Sequence, residues 1–113
     1  MPFISLKTNK TINSFTESNL KNKFGNAISI LGKSEEWLML DFSDEKRMYF
    51  GGDNSEGIAF VEVKLFGKAC KLAYDDMTSE ISKIISLELD IPMKNVYIRY
   101  EEGNLWGFNG KNL

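Results

Sequence analysis

Apolar residues recur along this chain at two different spacings, and each spacing predicts its own kind of element. Pro2-Phe3-Ile4-Ser5-Leu6 is short, partly alternating and followed by the polar run Lys7 to Asn13, as expected of a strand that leaves into a turn. Ser14-Phe15-Thr16-Glu17 has the spacing of a capping box, so a helix is expected to begin at Ser14. Leu20, Phe24, Ala27, Ile28 and Leu31 then fall on one helical stripe, and Gly32 stands where a left-handed residue would end the helix near Leu31. Gly25, inside the stripe, costs ~1 kcal/mol relative to Ala and points to a close approach to the sheet.

Trp37 to Phe42 reads as a second strand, and Met48-Tyr49-Phe50 before Gly51-Gly52 as a short strand or extended turn. Ile58 to Phe66 is the longest strand. A second helical stripe follows at Tyr74, Met77, Ile81, Ile84 and Ile85, closed by Asp90-Ile91-Pro92. Val96 to Tyr100 predicts another strand and Leu105-Trp106-Gly107-Phe108 a short last one. Strand, helix and strand thus occur twice with nearly the same spacing. The expected fold is an α/β (α+β) two-layer sandwich: two βαβ repeats in a single domain, residues 1–113, with a mixed four-stranded sheet and both helices on one face. The uncovered face is expected to carry apolar residues of the same strands and to be covered by other subunits.

Composition narrows the chemistry. Eight Phe, 4 Tyr and 2 Trp in 113 residues suffice for a packed core. Fourteen basic against 16 acidic residues, without a dense basic block, argue against a nucleic-acid partner. With no His and one Cys, the usual ligands of zinc, copper and iron–sulfur clusters are missing, and no cofactor is expected. The lone Cys70 cannot form an intrachain disulfide, and with no His to activate it reads as a small buried hydrophobe. Together with an N-terminus unlike a signal peptide, this favours the cytoplasm, or export without a signal peptide. No apolar run approaches the roughly 20 residues that span a bilayer, so no membrane anchor is expected. The adjacent acidic pairs Glu35-Glu36, Asp75-Asp76 and Glu101-Glu102 point apart on any regular element and read as solvated surface.

Met1-Pro2-Phe3-Ile4, Thr8-Asn9, Leu31-Gly32-Lys33, Phe50-Gly51-Gly52, Phe66-Gly67-Lys68 and Val96-Tyr97-Ile98 occur in an order and spacing that resemble the macrophage migration inhibitory factor and D-dopachrome tautomerase family over the whole chain. The resemblance implies a homotrimer of βαβ repeats with an active site between neighbouring subunits. It implies a keto–enol tautomerase that acts on α-keto acids or aromatic enols such as phenylpyruvate. Pro2 would be its general base. The chemistry at Pro2 can be stated on its own: removal of Met1 turns an amide nitrogen into a secondary amine, and burial beside cationic groups would keep that amine unprotonated near neutral pH.

By the same resemblance Lys33 binds the carboxylate or carbonyl oxygen of the substrate, where its other role would be a charge near a helix C-terminus. Tyr97 would enter the pocket from the adjacent subunit. Phe66, Trp106 and Phe108 match apolar walls that exclude water. Arg99 stands where one branch of the family has Asn and resembles the dopachrome tautomerase branch; it would grip a carboxylate through two hydrogen bonds or else be an exposed strand residue. The Cys-x-x-Cys of some members is replaced by Ile58-Ala59-Phe60-Val61, so thiol oxidoreductase activity is not expected. Two other readings stay open. One is a cytokine-like signalling protein with a protein receptor and a vestigial pocket, and the other a chain that keeps Met1 and is inactive.

Overall fold

In a computed structural model describing residues 1–113, the alternating segments pair into one sheet. Its strands are β1 (Pro2–Thr8), β2 (Met39–Ser43), β3 (Ala59–Phe66) and β4 (Val96–Gly103), in the spatial order β2-β1-β3-β4. β1 runs parallel to β2, β3 runs parallel to β4, and the central β1–β3 pair is antiparallel. Each parallel pair is joined through a helix, α1 (Ser14–Ala27) or α2 (Lys71–Leu89), as a parallel crossover requires. Alternate residues of β1 and β3, among them Ile4, Leu6, Val61, Val63 and Leu65, meet Leu20 and Phe24 of α1 and Met77, Ile81 and Ile85 of α2 in one cluster of 17 buried residues. The expected mixed sheet with both helices on one face is the observed fold.

The element ends differ from expectation in ways that side chains explain. Asn13, not Ser14, caps α1: its backbone is extended and its side chain accepts the Thr16 N–H at 2.8 Å. The helix tightens into a 3₁₀ turn over Ile28–Leu31 and stops at Gly32, whose φ of 73° is the expected left-handed cap. Gly25 does approach a neighbour closely, but the neighbour is the Glu35 side chain rather than the sheet. Glu35–Trp37 forms a 3₁₀ turn capped by the Ser34 hydroxyl, so Trp37 precedes the second strand instead of opening it. Met48 to Phe50 forms no strand. Phe50 and Asp53 exchange backbone hydrogen bonds of 2.8 and 3.1 Å around Gly51 and Gly52, both at positive φ. The chain ends in a small hairpin, β5 (Gly107–Phe108) against β6 (Lys111–Asn112).

The face of the sheet away from the helices is not the apolar surface expected. Alternation places Lys7, Glu62, Lys64, Arg99 and Glu101 there, interspersed with Phe3, Phe60, Phe66 and Tyr97. Lys7 pairs with Glu62 at 3.7 Å, Lys64 with Glu101 at 3.8 Å, and the Ser5 hydroxyl donates to Asp41 at 3.1 Å. Each inward apolar residue of β3 therefore alternates with an outward residue of different chemistry. The argument from apolarity to oligomerisation fails on this face. Cys70 is likewise exposed, at the residue that precedes α2, and is not the buried hydrophobe expected. Glu101 and Glu102 are exposed but partnered: Glu102 accepts the Tyr74 hydroxyl, while Glu101 faces two cations. No helix is long and apolar enough to cross a membrane.

Candidate functional site

β1 begins at the very start of the chain, and its first residue fixes where the terminus lies. Pro2 stands opposite Leu65 of β3, a position that asks for no backbone donor and so tolerates proline. One residue outward, the Met1 carbonyl accepts the Phe66 N–H at 3.1 Å. The terminus is thereby held against the end of β3. On the other side of Phe66, its carbonyl accepts the Lys33 ammonium at 3.1 Å. Lys33 reaches this point because Gly32 reverses the chain at the end of the 3₁₀ turn and sends the next side chain back toward the sheet. The backbone of Phe66 thus ties the terminus and Lys33 to one spot.

A pocket of about 430 Å³ opens over this spot. Met1, Pro2 and Phe3 form one side of it, Trp37 and Met39 a second, and Trp106 and Phe108 a third. Trp37 and Phe108 meet edge to face with ring centroids 5.4 Å apart, so the 3₁₀ turn and the C-terminal hairpin brace each other across the opening. Lys64 is the one charged residue on the wall. Burial first, and the positive charge of Lys33 second, hold the terminal amine below its ordinary value near 8.0. A basic amine, a nearby cation and an aromatic cleft are the parts needed to bind a planar anion and move a proton on it.

The residues expected to act together divide into two groups. Pro2, Trp106 and Phe108 line this pocket; Lys33 and Phe66 do not, and are tied to the terminus through the Phe66 backbone. Tyr97 and Arg99 lie apart from both. Tyr97 pairs with Phe60, five residues along β3 from the Leu65 that faces Pro2, a separation of ~17 Å at ~3.4 Å per residue. It is 63% exposed and leans on Phe50. Arg99 is also exposed, its guanidinium 4.0 Å from Glu101. Trp37, Met39 and Lys64 were not among the expected site residues. Lys64 was legible, since alternation puts it on the same face as Phe66 two residues later. Trp37 was not, because its place depends on the 3₁₀ turn.

Fold and sequence both agree with known proteins. A homologue of macrophage migration inhibitory factor from Brugia malayi is 27% identical, aligned over 100% of this chain and 99% of that protein. Among solved structures, Leishmania major MIF2 superposes with a TM-score of 0.92 at 29% identity, covering 100% of this chain and 97% of that one. The homologue from Prochlorococcus marinus superposes with a TM-score of 0.86 at 26% identity, covering 97% of each chain. The family model for macrophage migration inhibitory factor matches residues 1–113, the strands, helices and terminal pocket included, and the chain belongs to that family.

Proposed function

We propose that this protein is a keto–enol tautomerase of α-keto acids such as phenylpyruvate, with Pro2 as general base once Met1 is removed. The observation that carries the reading is the position of the terminus: it lies in an aromatic-walled pocket where burial and Lys33 depress the basicity of its amine. Loss of Met1 moves the free amine one residue inward, to Pro2, which is itself buried. The same two influences at Pro2 raise the share of neutral amine, the form that can act as a base.

In the ketonisation direction, the amine of Pro2 accepts the proton of the enol hydroxyl and delivers it to the neighbouring carbon. Negative charge develops on the substrate oxygen, and Lys33 is the cation available to stabilise it. Trp37, Trp106 and Phe108 flank the substrate ring and keep water away, which strengthens those charge interactions. No cofactor takes part. Tyr97 and Arg99 belong to this machinery through assembly: in a homotrimer, the far end of one subunit's sheet would serve the terminal pocket of its neighbour.

The test follows loss of enol absorbance for phenylpyruvate, using protein whose intact mass lacks Met1, beside Pro2→Gly. The expected result is turnover in the wild type and a fall of about 10²-fold in the variant, whose terminal glycine keeps an amine but lacks the ring that fixes its position. Absence of turnover in correctly processed wild-type protein would overturn the enzymatic reading and turn attention to a protein receptor.

A further inference from the structure

The terminal pocket contains a cation that the proposed reaction does not use. Lys64 lies on β3 between two cross-strand neighbours, Phe3 of β1 and Glu101 of β4. Its stem walls the pocket beside Phe3, and its ammonium stands 3.8 Å from the Glu101 carboxylate. That carboxylate is shared, because Arg99 approaches its other oxygen at 4.0 Å. Two cations thus face one carboxylate, and no acidic side chain lines the pocket itself. Lys33 meets the Phe66 carbonyl, two residues along β3 from Lys64, and does not line the pocket. Lys64 is therefore the one charged group on the aromatic wall of the pocket.

We propose that Lys64 is a second anion-binding group of this pocket and selects α-keto acids that carry a further carboxylate at the end remote from the keto acid. Calling the ligand a substrate rests on the tautomerase reading; the charge selectivity does not. Lys64 is available for this because its bond to Glu101 is long and partly exposed, and such pairs add little to stability. A ligand carboxylate that reaches Lys64 replaces Glu101 as its partner, and Glu101 keeps Arg99. A ring with acid groups at opposite ends can bring its second carboxylate to Lys64, while phenylpyruvate leaves that ammonium unmatched.

The test uses the two tryptophans of the chain, Trp37 and Trp106, both of which line the pocket and so report its occupancy by fluorescence. Processed protein is titrated with phenylacetate and with para-carboxyphenylacetate, neither of which is turned over. The wild type is expected to bind the dianion about three- to tenfold more tightly, with the preference shrinking as salt is added. Lys64→Met should abolish the preference, Lys64→Arg should retain it, and Glu101→Gln should enlarge it by removing the competing carboxylate. Equal affinities in the wild type, a preference that survives Lys64→Met, or failure of both probes to bind at millimolar concentration would overturn the proposal. Turnover of phenylpyruvate and its para-carboxylated form is measured in parallel. A Lys64-dependent binding preference without turnover of either would sink the tautomerase reading and leave the selectivity of Lys64 standing.

Discussion

The terminal amine carries the proposed reaction, and two neighbours of unequal weight set its basicity. At the Met1 amine burial is the larger influence and Lys33 the smaller, and both disfavour the protonated form; in the proposed enzyme the same two influences carry over to Pro2, one residue inward. Activity should rise with pH along an acid limb as the Pro2 amine loses its proton. In Lys33→Met the cation is gone and protonation becomes easier, so the limb should move to higher pH. A kcat/KM profile across pH 5 to 9 reads this directly. A limb that does not move in Lys33→Met would mean that Lys33 acts only on the substrate. The fall in kcat/KM at the plateau, where the amine is fully deprotonated, separately measures what Lys33 contributes to binding and to the enolate oxygen.

Among the elements, α1 and the turn that follows it show how local chemistry positions the aromatic wall. Gly25 leaves room over the helix for the Glu35 side chain, and Glu35 opens the 3₁₀ turn that sets Trp37 against Phe108. A methyl at Gly25 meets the far end of that flexible, exposed side chain and no backbone. Glu35 should swing into solvent, and Gly25→Ala should gain about 0.5–1 kcal/mol from helix propensity, read as a higher urea midpoint at unchanged m-value. A lower midpoint would mean that Glu35 cannot move without disturbing the turn. The two helices and four strands were legible because their periods are long and regular, and the motifs around Pro2 and Lys33 pointed to one end of the sheet. What escaped depends on short-range detail. Asn13 rather than Ser14 caps α1, since either side chain could accept the same kind of bond. Trp37 left the strand for a three-residue turn that has no period to read. Lys64 and Glu62 were overlooked on a strand whose apolar half dominated the pattern, which also hid the charged character of the open face.

At the scale of the whole molecule, one chain cannot complete the proposed site. Tyr97 and Arg99 project from β4 far from Pro2, and nothing in the fold can bring them closer without breaking the β3 register. If they serve catalysis, they serve a neighbour. In a closed three-fold ring every interface is head to tail, so each pocket would pair Pro2 of one subunit with Tyr97 and Arg99 of the next. This can be tested by mixing defects. Pro2→Gly subunits and Tyr97→Ala, Arg99→Ala subunits should each form weakly active trimers, and the exposed positions of Tyr97 and Arg99 leave the core intact. Co-refolded at equal amounts, they should regain about a quarter of wild-type activity, because random assembly in a ring joins an intact Pro2 to an intact Tyr97 and Arg99 at one interface in four. Sedimentation at the same concentration should give a trimer for all three preparations. A site contained within one chain predicts no gain on mixing, since every Pro2 would still be tied to the defect in its own sequence.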